Sequence, residues 1–332
     1  MRWGLCGAST IGAEHMIKAL RAQPGGQVAW VVSGSADHAR DYATRHGISR
    51  SGVALDDMLA DDPVDAVYIS SVNDRHFAQA MAALGAGKHV LCEKPLSLSL
   101  AQACLMVKTA AAAGLILATN HHLRCSGSHR TIRDLVATGR IGKVLSLRIH
   151  HAVHLPPHLQ GWRINDPTGG GVIADITVHD ADTVRFLTGE DPLNVVAQAG
   201  VSGMGEGVED SVMSVWSLPS GAMVMAHESF THRFAGSGLE VHGTEGSIFA
   251  AGVMTQKPVG EIELVTAAGR ERVPFAGHDL YVEGVRRFVA AVAGQGAPVA
   301  TGQDGIASLA VALAVRDAAR SGTRVAVNYG DI

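Results

Sequence analysis

Residues 3–12 read Trp3-Gly4-Leu5-Cys6-Gly7-Ala8-Ser9-Thr10-Ile11-Gly12, and this stretch decides the fold. A short apolar run leads into a glycine-containing loop, and residues 13–22 then have helical spacing. In the GxGxxG loop of a βαβ unit, backbone N–H groups and a helix N-terminus face the pyrophosphate of a dinucleotide. Ser9 replaces the middle glycine, and its hydroxyl can bond a phosphate oxygen. An ordinary strand-to-helix turn is the alternative, but a βαβ series follows, which favours dinucleotide binding.

Strand-like and helix-like segments alternate from this loop to about residue 120. The predicted strands are residues 3–6, 28–32, 66–70, 89–92 and 116–119. The predicted helices are residues 13–22, 36–46, 76–86 and 100–113. Alternation with short glycine-containing joints predicts a parallel sheet covered on both faces. Residues 1–120 are therefore expected to form an α/β dinucleotide-binding Rossmann domain.

The pattern changes after residue 120, where strand candidates follow one another with few helices between them. The predicted strands are residues 144–154, 193–201, 208–217, 222–231, 239–243 and 261–266. The predicted helices are residues 129–138, 170–187, 280–293 and 302–321. This order predicts an α+β substrate-binding domain on a mostly antiparallel sheet over residues 121–332.

Composition narrows the class of partner. The chain has 332 residues, 47% of them hydrophobic and 17% charged, which suits two domains with large cores. A net charge of -4 gives no positive field for nucleic acid or an anionic membrane, so a small-molecule substrate is expected. The four cysteines form no CxxC pair. With no signal peptide and no apolar stretch of spanning length, a cytoplasmic protein with reduced thiols is expected.

The end of the second predicted strand indicates which dinucleotide binds. NAD-binding folds usually place an acid there, where it accepts from the ribose 2′-hydroxyl. Here the tip is Ser33, followed by Ser35, with His38 and Arg40 nearby. These groups favour a 2′-phosphate, so NADPH is expected as cofactor. In the alternative interpretation, Asp37 supplies the acid from the next helix and NADH binds.

Glu93-Lys94-Pro95 follows the strand at residues 89–92. Carboxyl ends of parallel strands open onto the ligand crevice, where a lysine can polarise a carbonyl or protonate an alkoxide. The proline fixes the local chain and allows a cis Lys94–Pro95 peptide. A simple turn is the alternative.

A glycine run, Gly169-Gly170-Gly171, precedes a second candidate site. Asp175 and His179 are four residues apart, and Asp182 lies three residues further on, so all three share about one helix face. An imidazole near a carboxylate is a suitable proton donor near neutral pH. A surface ion pair is the alternative.

Taken together, the glycine-rich start, Glu93-Lys94-Pro95 and Asp175-Ile176-Thr177-Val178-His179 resemble the Gfo/Idh/MocA family of sugar oxidoreductases. The resemblance covers nearly the whole chain in the expected order. It implies a Rossmann domain followed by a domain on a large open sheet. It also implies catalytic roles for Lys94, Asp175 and His179.

Further runs at residues 120–124, 154–163 and 254–260 resemble one reductase of a cyclic sugar-derived ketone within that family. That resemblance implies a cofactor site lined by Ser9, Thr10, Ile11, Gly12, Ser33, Gly34, His38, Ser71, Val72, Asn73, His76, Glu93, Lys94, Asn120, Trp162, Arg163 and Tyr281. The expected substrate contacts are Lys94, His154, Arg163, Asp175 and His179. Two departures leave NADH open as a second cofactor, since His38 replaces an arginine and Gly12 replaces an alanine.

Seventeen histidines raise the question of a metal site. The candidates are His121-His122, His150-His151, His154 and His158, but no HExxH or Cys/His cluster appears. No metal is therefore expected. His151 and His154 face either substrate hydroxyls or a sheet surface.

The expected reaction is hydride transfer between nicotinamide and a cyclic sugar-like carbonyl, with Lys94 and His179 meeting at that carbonyl. Two alternatives stay open. One is NAD-linked oxidation of an inositol or pyranose, and the other is a non-catalytic NADP-sensing regulator. Association of several copies of the chain through the open sheet is a further alternative.

Overall fold

The computed structural model describes residues 1–60 and 64–330, which form two compact units. The first unit contains Met1–His122 and Tyr281–Ile306, together with Gly330. The second contains Leu123–Leu280 and Ala307–Tyr329. The last two residues of the predicted second domain lie outside the described residues.

The first unit is built on a six-stranded parallel sheet with strand order β3-β2-β1-β4-β5-β6. Its strands are β1 (Arg2–Cys6), β2 (Gln27–Val32), β3 (Arg50–Gly52), β4 (Ala66–Ile69), β5 (His89–Cys92) and β6 (Leu117–Thr119). Its first five helices are α1 (Ile17–Arg21), α2 (Ala36–His46), α3 (Leu55–Leu59), α4 (His76–Gly85) and α5 (Leu100–Ala112). The four residues of β4 are fully buried, as expected for a central strand with both faces covered. The predicted Rossmann architecture is confirmed.

The sequence did not predict β3 and α3, which lie between the second and third predicted strands. β3 is a three-residue strand at the sheet edge, with the polar sequence Arg50-Ser51-Gly52. Such a strand has no apolar alternation to reveal it. The first helix also differs, because a π-helical segment at Gly12–Met16 precedes α1.

Gly7 fixes the geometry of the loop after β1. Its φ is +112°, and a Cβ placed there would lie 2.8 Å from the backbone of Ser70 and Ser71, beyond the end of β4. Only glycine accepts both the positive φ and this approach. The glycine-containing loop therefore depends on direct contact between the ends of β1 and β4.

The second unit contains a nine-stranded mixed sheet with strand order β14-β13-β12-β11-β7-β10-β9-β8-β15. The strands are β7 (Val144–Ala152), β8 (Asn194–Gly200), β9 (Ser211–Ser217), β10 (Met223–Ser229), β11 (Gly238–Gly243), β12 (Gly246–Ala251), β13 (Glu261–Thr266), β14 (Gly269–Arg272) and β15 (Val325–Ala326). β7 and β10 run parallel, and the other neighbouring pairs run antiparallel. The predicted large, mostly antiparallel sheet is confirmed. β12, β14 and β15 were not predicted, and the Gly-Arg-Glu-Arg sequence of β14 carries no apolar signal.

The remaining helices are α6 (Gly127–Ala137), α7 (Trp162–Asn165), α8 (Val178–Thr188), α9 (Leu280–Val292) and α10 (Gly302–Ser321). One face of the nine-stranded sheet packs against α6, α8 and part of α10 around buried residues such as Leu147, Trp216 and Val315. The opposite face exposes apolar side chains from β7 to β10. These are Leu145, Val196, Met213, Val215, Met223 and Met225.

Tyr281–Ile306 belongs to the first unit, whereas the sequence division placed residues 121–332 in the second. The cause is pairing with the edge strand β6. Ala118 forms an isolated antiparallel bridge with Thr301, and the Thr119 amide donates to the Ala300 carbonyl at 3.2 Å. A late segment of the chain thus extends the first unit, which linear spacing does not reveal.

Three properties of the described residues bear on function. None of their helices has the length and apolar character needed to cross a membrane. No group of three or more His, Cys, Asp or Glu among them could hold a metal ion. Cys6, Cys92, Cys104 and Cys125 are free thiols.

Candidate active site

The loop after β1 is held by serine and tyrosine hydroxyls. Ser9 Oγ accepts from the Gly12 amide at 3.1 Å and lies 2.7 Å from Ser70 Oγ. The Tyr42 hydroxyl, from α2, donates to the Ser9 carbonyl at 3.0 Å. The hydroxyl of Ser9 therefore fixes the loop from within. Thr10 is exposed and Ile11 is half-buried at the start of the π-helical segment.

Polar side chains surround the end of β2. Ser33 Oγ lies 3.1 Å from His38 Nδ1, which brings these two predicted cofactor residues together beside the exposed Gly34. Asp37, the acid of the alternative NADH interpretation, forms an ion pair with Arg40 in the first turns of α2. This carboxylate is already matched by a cation of its own helix.

Three strand ends converge on Glu93. Its Oε1 accepts from the Tyr68 hydroxyl of β4 and from Asn120 Nδ2 after β6, both at 2.6 Å. Desolvation raises the pKa of Glu93, although these two donors oppose the shift. Lys94 follows directly and is half-buried, and its peptide bond to Pro95 is cis. The hydrogen bonds from Tyr68 and Asn120 to Glu93 thus fix the position of the backbone that carries Lys94.

The segment after β4 is fixed to the segment after β5 by His76. Its Nδ1 lies 2.8 Å from the Pro95 carbonyl and its Nε2 lies 3.2 Å from the Ser71 carbonyl. Burial lowers the pKa of His76, because a charged ring is poorly solvated there. His76 is an interior link, whereas Ser71 and Val72 stay half-exposed beside the buried Asn73.

Tyr281 forms an aromatic stack near the same loop. Its ring lies between His15, with centroids 4.7 Å apart, and His122, with centroids 5.2 Å apart. Both ring pairs are nearly parallel, at interplanar angles of 21° and 20°. The stack attaches the π-helical segment to the start of α9. The sequence does not predict this stack: His15 is in no predicted site and His122 is only a candidate metal ligand, because their approach to Tyr281 depends on tertiary packing.

Asp175 and His179 lie on opposite sides of a helix transition. A π-helical segment, Ile173–Thr177, carries Asp175 and continues into α8, which carries His179. Asp175 Oδ2 accepts from Arg163 Nε at 3.2 Å, and both side chains are largely buried. The Arg163 guanidinium also lies over the Trp162 ring, 4.6 Å from its centroid. The second unit therefore groups three of its predicted site residues, Trp162, Arg163 and Asp175.

Gly170 holds the backbone of that group together. A Cβ at this position would lie 2.6 Å from the Trp162 carbonyl and 2.7 Å from the Asp166 carbonyl. The glycine run therefore serves close packing of the α7 turn against the Asp175 segment. His154 lies apart from this contact set, in an isolated bridge with Thr231 after β10.

Buried ionisable side chains make contacts with α8, the helix that carries His179. His151 Nδ1 lies 2.9 Å from Asp180 Oδ1, and Glu228 is His151's neighbour in the parallel register of β7 and β10. Arg124 makes a two-pronged bond to Asp182, at 2.8 and 2.7 Å. His151 thus contacts an interior carboxylate. The sequence does not predict a contact of Glu228, because the tertiary fold brings it to Asp180 from a distant position in the chain.

Burial and the neighbouring Asp180 raise the pKa of Glu228 well above its usual range. The folded state then keeps a proton that the unfolded chain releases above about pH 4.5, so the free energy of unfolding falls as pH rises from there. Glu228→Gln removes this dependence. We expect the variant to exceed the wild type by about 1 kcal/mol or more at pH 8 and to match it near pH 4.

Urea denaturation at pH 4, 6 and 8 measures this effect, with the exposed Glu206→Gln as the matched control. Equal pH dependence in wild type and Glu228→Gln would mean that Glu228 titrates normally in the folded protein.

Comparison with known proteins decides the family. A sequence profile for the "Oxidoreductase family, NAD-binding Rossmann fold" matches residues 1–121, and one for the "GFO/IDH/MocA C-terminal domain" matches residues 129–249. The chain belongs to the Gfo/Idh/MocA family. The resemblance carried by the glycine-rich loop and by the Lys94 and His179 motifs is thereby confirmed. Its first unit is an NAD(P)-binding Rossmann domain, and the protein is an oxidoreductase.

Two curated proteins are similar to the chain over almost its whole length. It is 50% identical over 331 residues to 1,5-anhydro-D-fructose reductase of Ensifer adhaerens, with 99% of each chain covered. It is 32% identical to inositol 2-dehydrogenase of Rhizobium meliloti (strain 1021), with 96% of this chain and 97% of the relative covered. Aldose-aldose oxidoreductase from Caulobacter crescentus shares the fold, at a TM-score of 0.89 and 23% identity over 98% of this chain and 99% of that one.

Proposed function

We propose that this family member reduces the C2 carbonyl of 1,5-anhydro-D-fructose to 1,5-anhydro-D-mannitol with NADPH. The observation that carries this proposal is the 50% identity to 1,5-anhydro-D-fructose reductase over 99% of both chains. The similarity spans both units, so it includes the cofactor segments and the segments that carry Arg163, Asp175 and His179.

The residues of the first unit fit a phosphorylated dinucleotide. Gly7 leaves room for a close backbone approach, and Asp37, in the first turn after β2, is paired with Arg40. Ser33 and His38 offer polar groups beside Gly34. These features support NADPH over NADH as the cofactor. Gly12, which replaces an alanine, leaves NADH open as a second cofactor. When bound, NADPH supplies the hydride.

The protein's own residues handle the charge that develops on the substrate oxygen. Lys94 supplies a positive charge toward that oxygen, and His179 donates the proton that completes the alcohol. Asp175, held by Arg163 at 3.2 Å, orients the His179 ring and balances its charge. Trp162, Arg163 and His154 contribute contacts to substrate or cofactor.

A substrate and cofactor panel tests the proposal. With 1,5-anhydro-D-fructose, initial rates are measured from the loss of NADPH or NADH absorbance. With inositol and glucose, they are measured from the gain of NADPH or NADH absorbance after addition of NADP⁺ or NAD⁺. Fast oxidation of NADPH by 1,5-anhydro-D-fructose, with the mannitol epimer as product, is expected. Preferred NAD⁺-linked oxidation of inositol would contradict it and support the second candidate, to which the 32% identity with inositol 2-dehydrogenase points.

We further propose a homo-oligomer that buries the open sheet face, in the cytoplasm, where the four free thiols stay reduced. On this face Val196, Val215 and Met225 are paired across β8, β9 and β10, and each is at least 40% exposed. Monomers rarely expose adjacent apolar side chains in this way.

Met225→Glu is expected to lower the mass measured by sedimentation equilibrium to that of one chain, because it places a charge in the proposed contact. Leu105→Glu, on the exposed side of α5, is the matched control. A wild type that already sediments as a monomer contradicts the proposal.

A further inference from the structure

We propose that Arg75 is the cation that binds the 2′-phosphate of NADPH and sets the preference for NADPH over NADH. This inference rests on the proposed function, since it assigns a residue to the cofactor preference stated there. Sequence reasoning placed the cation on the segment after β2, at His38 or Arg40. The structure brings Arg75 to the same place from the segment after β4.

The position of Arg75 is the first observation. Arg75 ends a 3₁₀ turn, Asn73–Arg75, and its backbone amide donates to the Val72 carbonyl at 3.0 Å. A Cβ built on Gly34 would lie 3.5 Å from a terminal guanidinium nitrogen of Arg75. Gly34 follows the tip of β2, which is where Rossmann folds hold the adenosine ribose. The guanidinium therefore lies beside the ribose 2′ position.

The charge of Arg75 is the second observation. The residue is exposed, and no carboxylate among residues 1–60 and 64–330 lies within ion-pair distance of it. A guanidinium stays charged at every physiological pH and offers a planar fork that matches a phosphate. Arg75 thus provides a charge that no carboxylate in the described part of the chain neutralises.

Other cations near β2 are engaged elsewhere. Arg40 is paired with Asp37. Arg50 lies over the Trp30 ring, 6.0 Å from its centroid, and Arg45 lies over the Tyr42 ring, 5.9 Å from its centroid. The Nδ1 of His38 lies 3.1 Å from Ser33 Oγ. Ser33 and His38 can add hydrogen bonds, but Arg75 supplies the permanent charge.

The test compares NADPH and NADH binding to the full-length protein by fluorescence titration. Arg75→Gln should raise the dissociation constant for NADPH about 10- to 100-fold, because charge-assisted hydrogen bonds contribute roughly 1.5–3 kcal/mol. The dissociation constant for NADH should change less than about two-fold. Arg45→Gln, at the far end of α2, is the matched control and should leave both constants unchanged.

Salt dependence gives a readout that a purely structural role would not change. In the wild type, NADPH binding should weaken with added KCl more steeply than NADH binding, and Arg75→Gln should remove this difference. Arg75→Lys keeps the charge without the fork, so its NADPH affinity should lie between those of wild type and Arg75→Gln.

Three outcomes would overturn the inference. Equal losses of NADPH and NADH binding in Arg75→Gln would show a general role. Unchanged NADPH binding would exclude Arg75 from the site, and a selective NADPH loss in Arg40→Gln instead would assign the phosphate to Arg40. If the wild type binds NADH as tightly as NADPH, the proposed preference for NADPH is wrong. This result is distinct from the three outcomes above, which concern Arg75 alone.

Discussion

His179→Ala is expected to lower the turnover number for carbonyl reduction about 10²–10⁴-fold, the usual contribution of a positioned proton donor. The dissociation constant for NADPH should change less than about two-fold, since no cofactor segment is altered. Stopped-flow single turnovers and equilibrium titration measure the two quantities separately.

The structure supplies the reason for expecting a loss of chemistry rather than of folding. His179 is half-exposed, whereas α8 is fixed by neighbouring residues, through the Asp180–His151 and Asp182–Arg124 contacts. Removing the imidazole leaves those contacts in place. His242→Ala is the matched control, because His242 lies in the same unit and bonds Glu240 and Ser247. Undiminished turnover in His179→Ala would remove this residue from the mechanism.

Lys94→Met is expected to lower the turnover number about 10²–10³-fold, as when a preorganised electrostatic stabiliser is removed from an active site. The methionine keeps the length of the side chain and removes the charge that we propose to stabilise the developing oxyanion. The Michaelis constant should change much less than turnover, because the interaction strengthens in the transition state. Steady-state kinetics with saturating NADPH give both values.

Lys88→Met controls for loss of a lysine near the same strand, since Lys88 immediately precedes β5. A Lys94→Met enzyme with normal turnover and weak NADPH binding would make Lys94 a cofactor contact only. The hydrogen bonds from Tyr68 and Asn120 to Glu93 should keep the local backbone in place in this variant.

The positions of several candidate site residues relative to the strands and helices could be predicted from the sequence. Gly7, Lys94, Asp175 and His179 each stand in a short motif at a fixed place relative to a strand or helix, and the periodicity around them located those elements. The predicted helix at residues 36–46 and the predicted strand at residues 89–92 have the observed bounds.

The parts that depend on contacts between distant segments could not be predicted. Glu93 is clamped by residues 25 and 27 positions away, and His151 meets Asp180 across 29 positions. Arg75 reaches Gly34 only because β2 and β4 flank β1 in the sheet. No spacing rule in a single sequence encodes such approaches. Short polar strands such as β3 and β14 are likewise invisible to hydrophobic periodicity.

The approach of Gly7 to the chain beyond β4 has a practical consequence for engineering coenzyme choice. Any larger residue at position 7 would push against main-chain atoms 2.8 Å away, so most members of a mutant library randomised there would be misfolded. The solvent-facing rim at Gly34, His38 and Arg75 is free of that restriction. Directed evolution toward cheaper reduced nicotinamides should therefore diversify the rim and leave position 7 invariant.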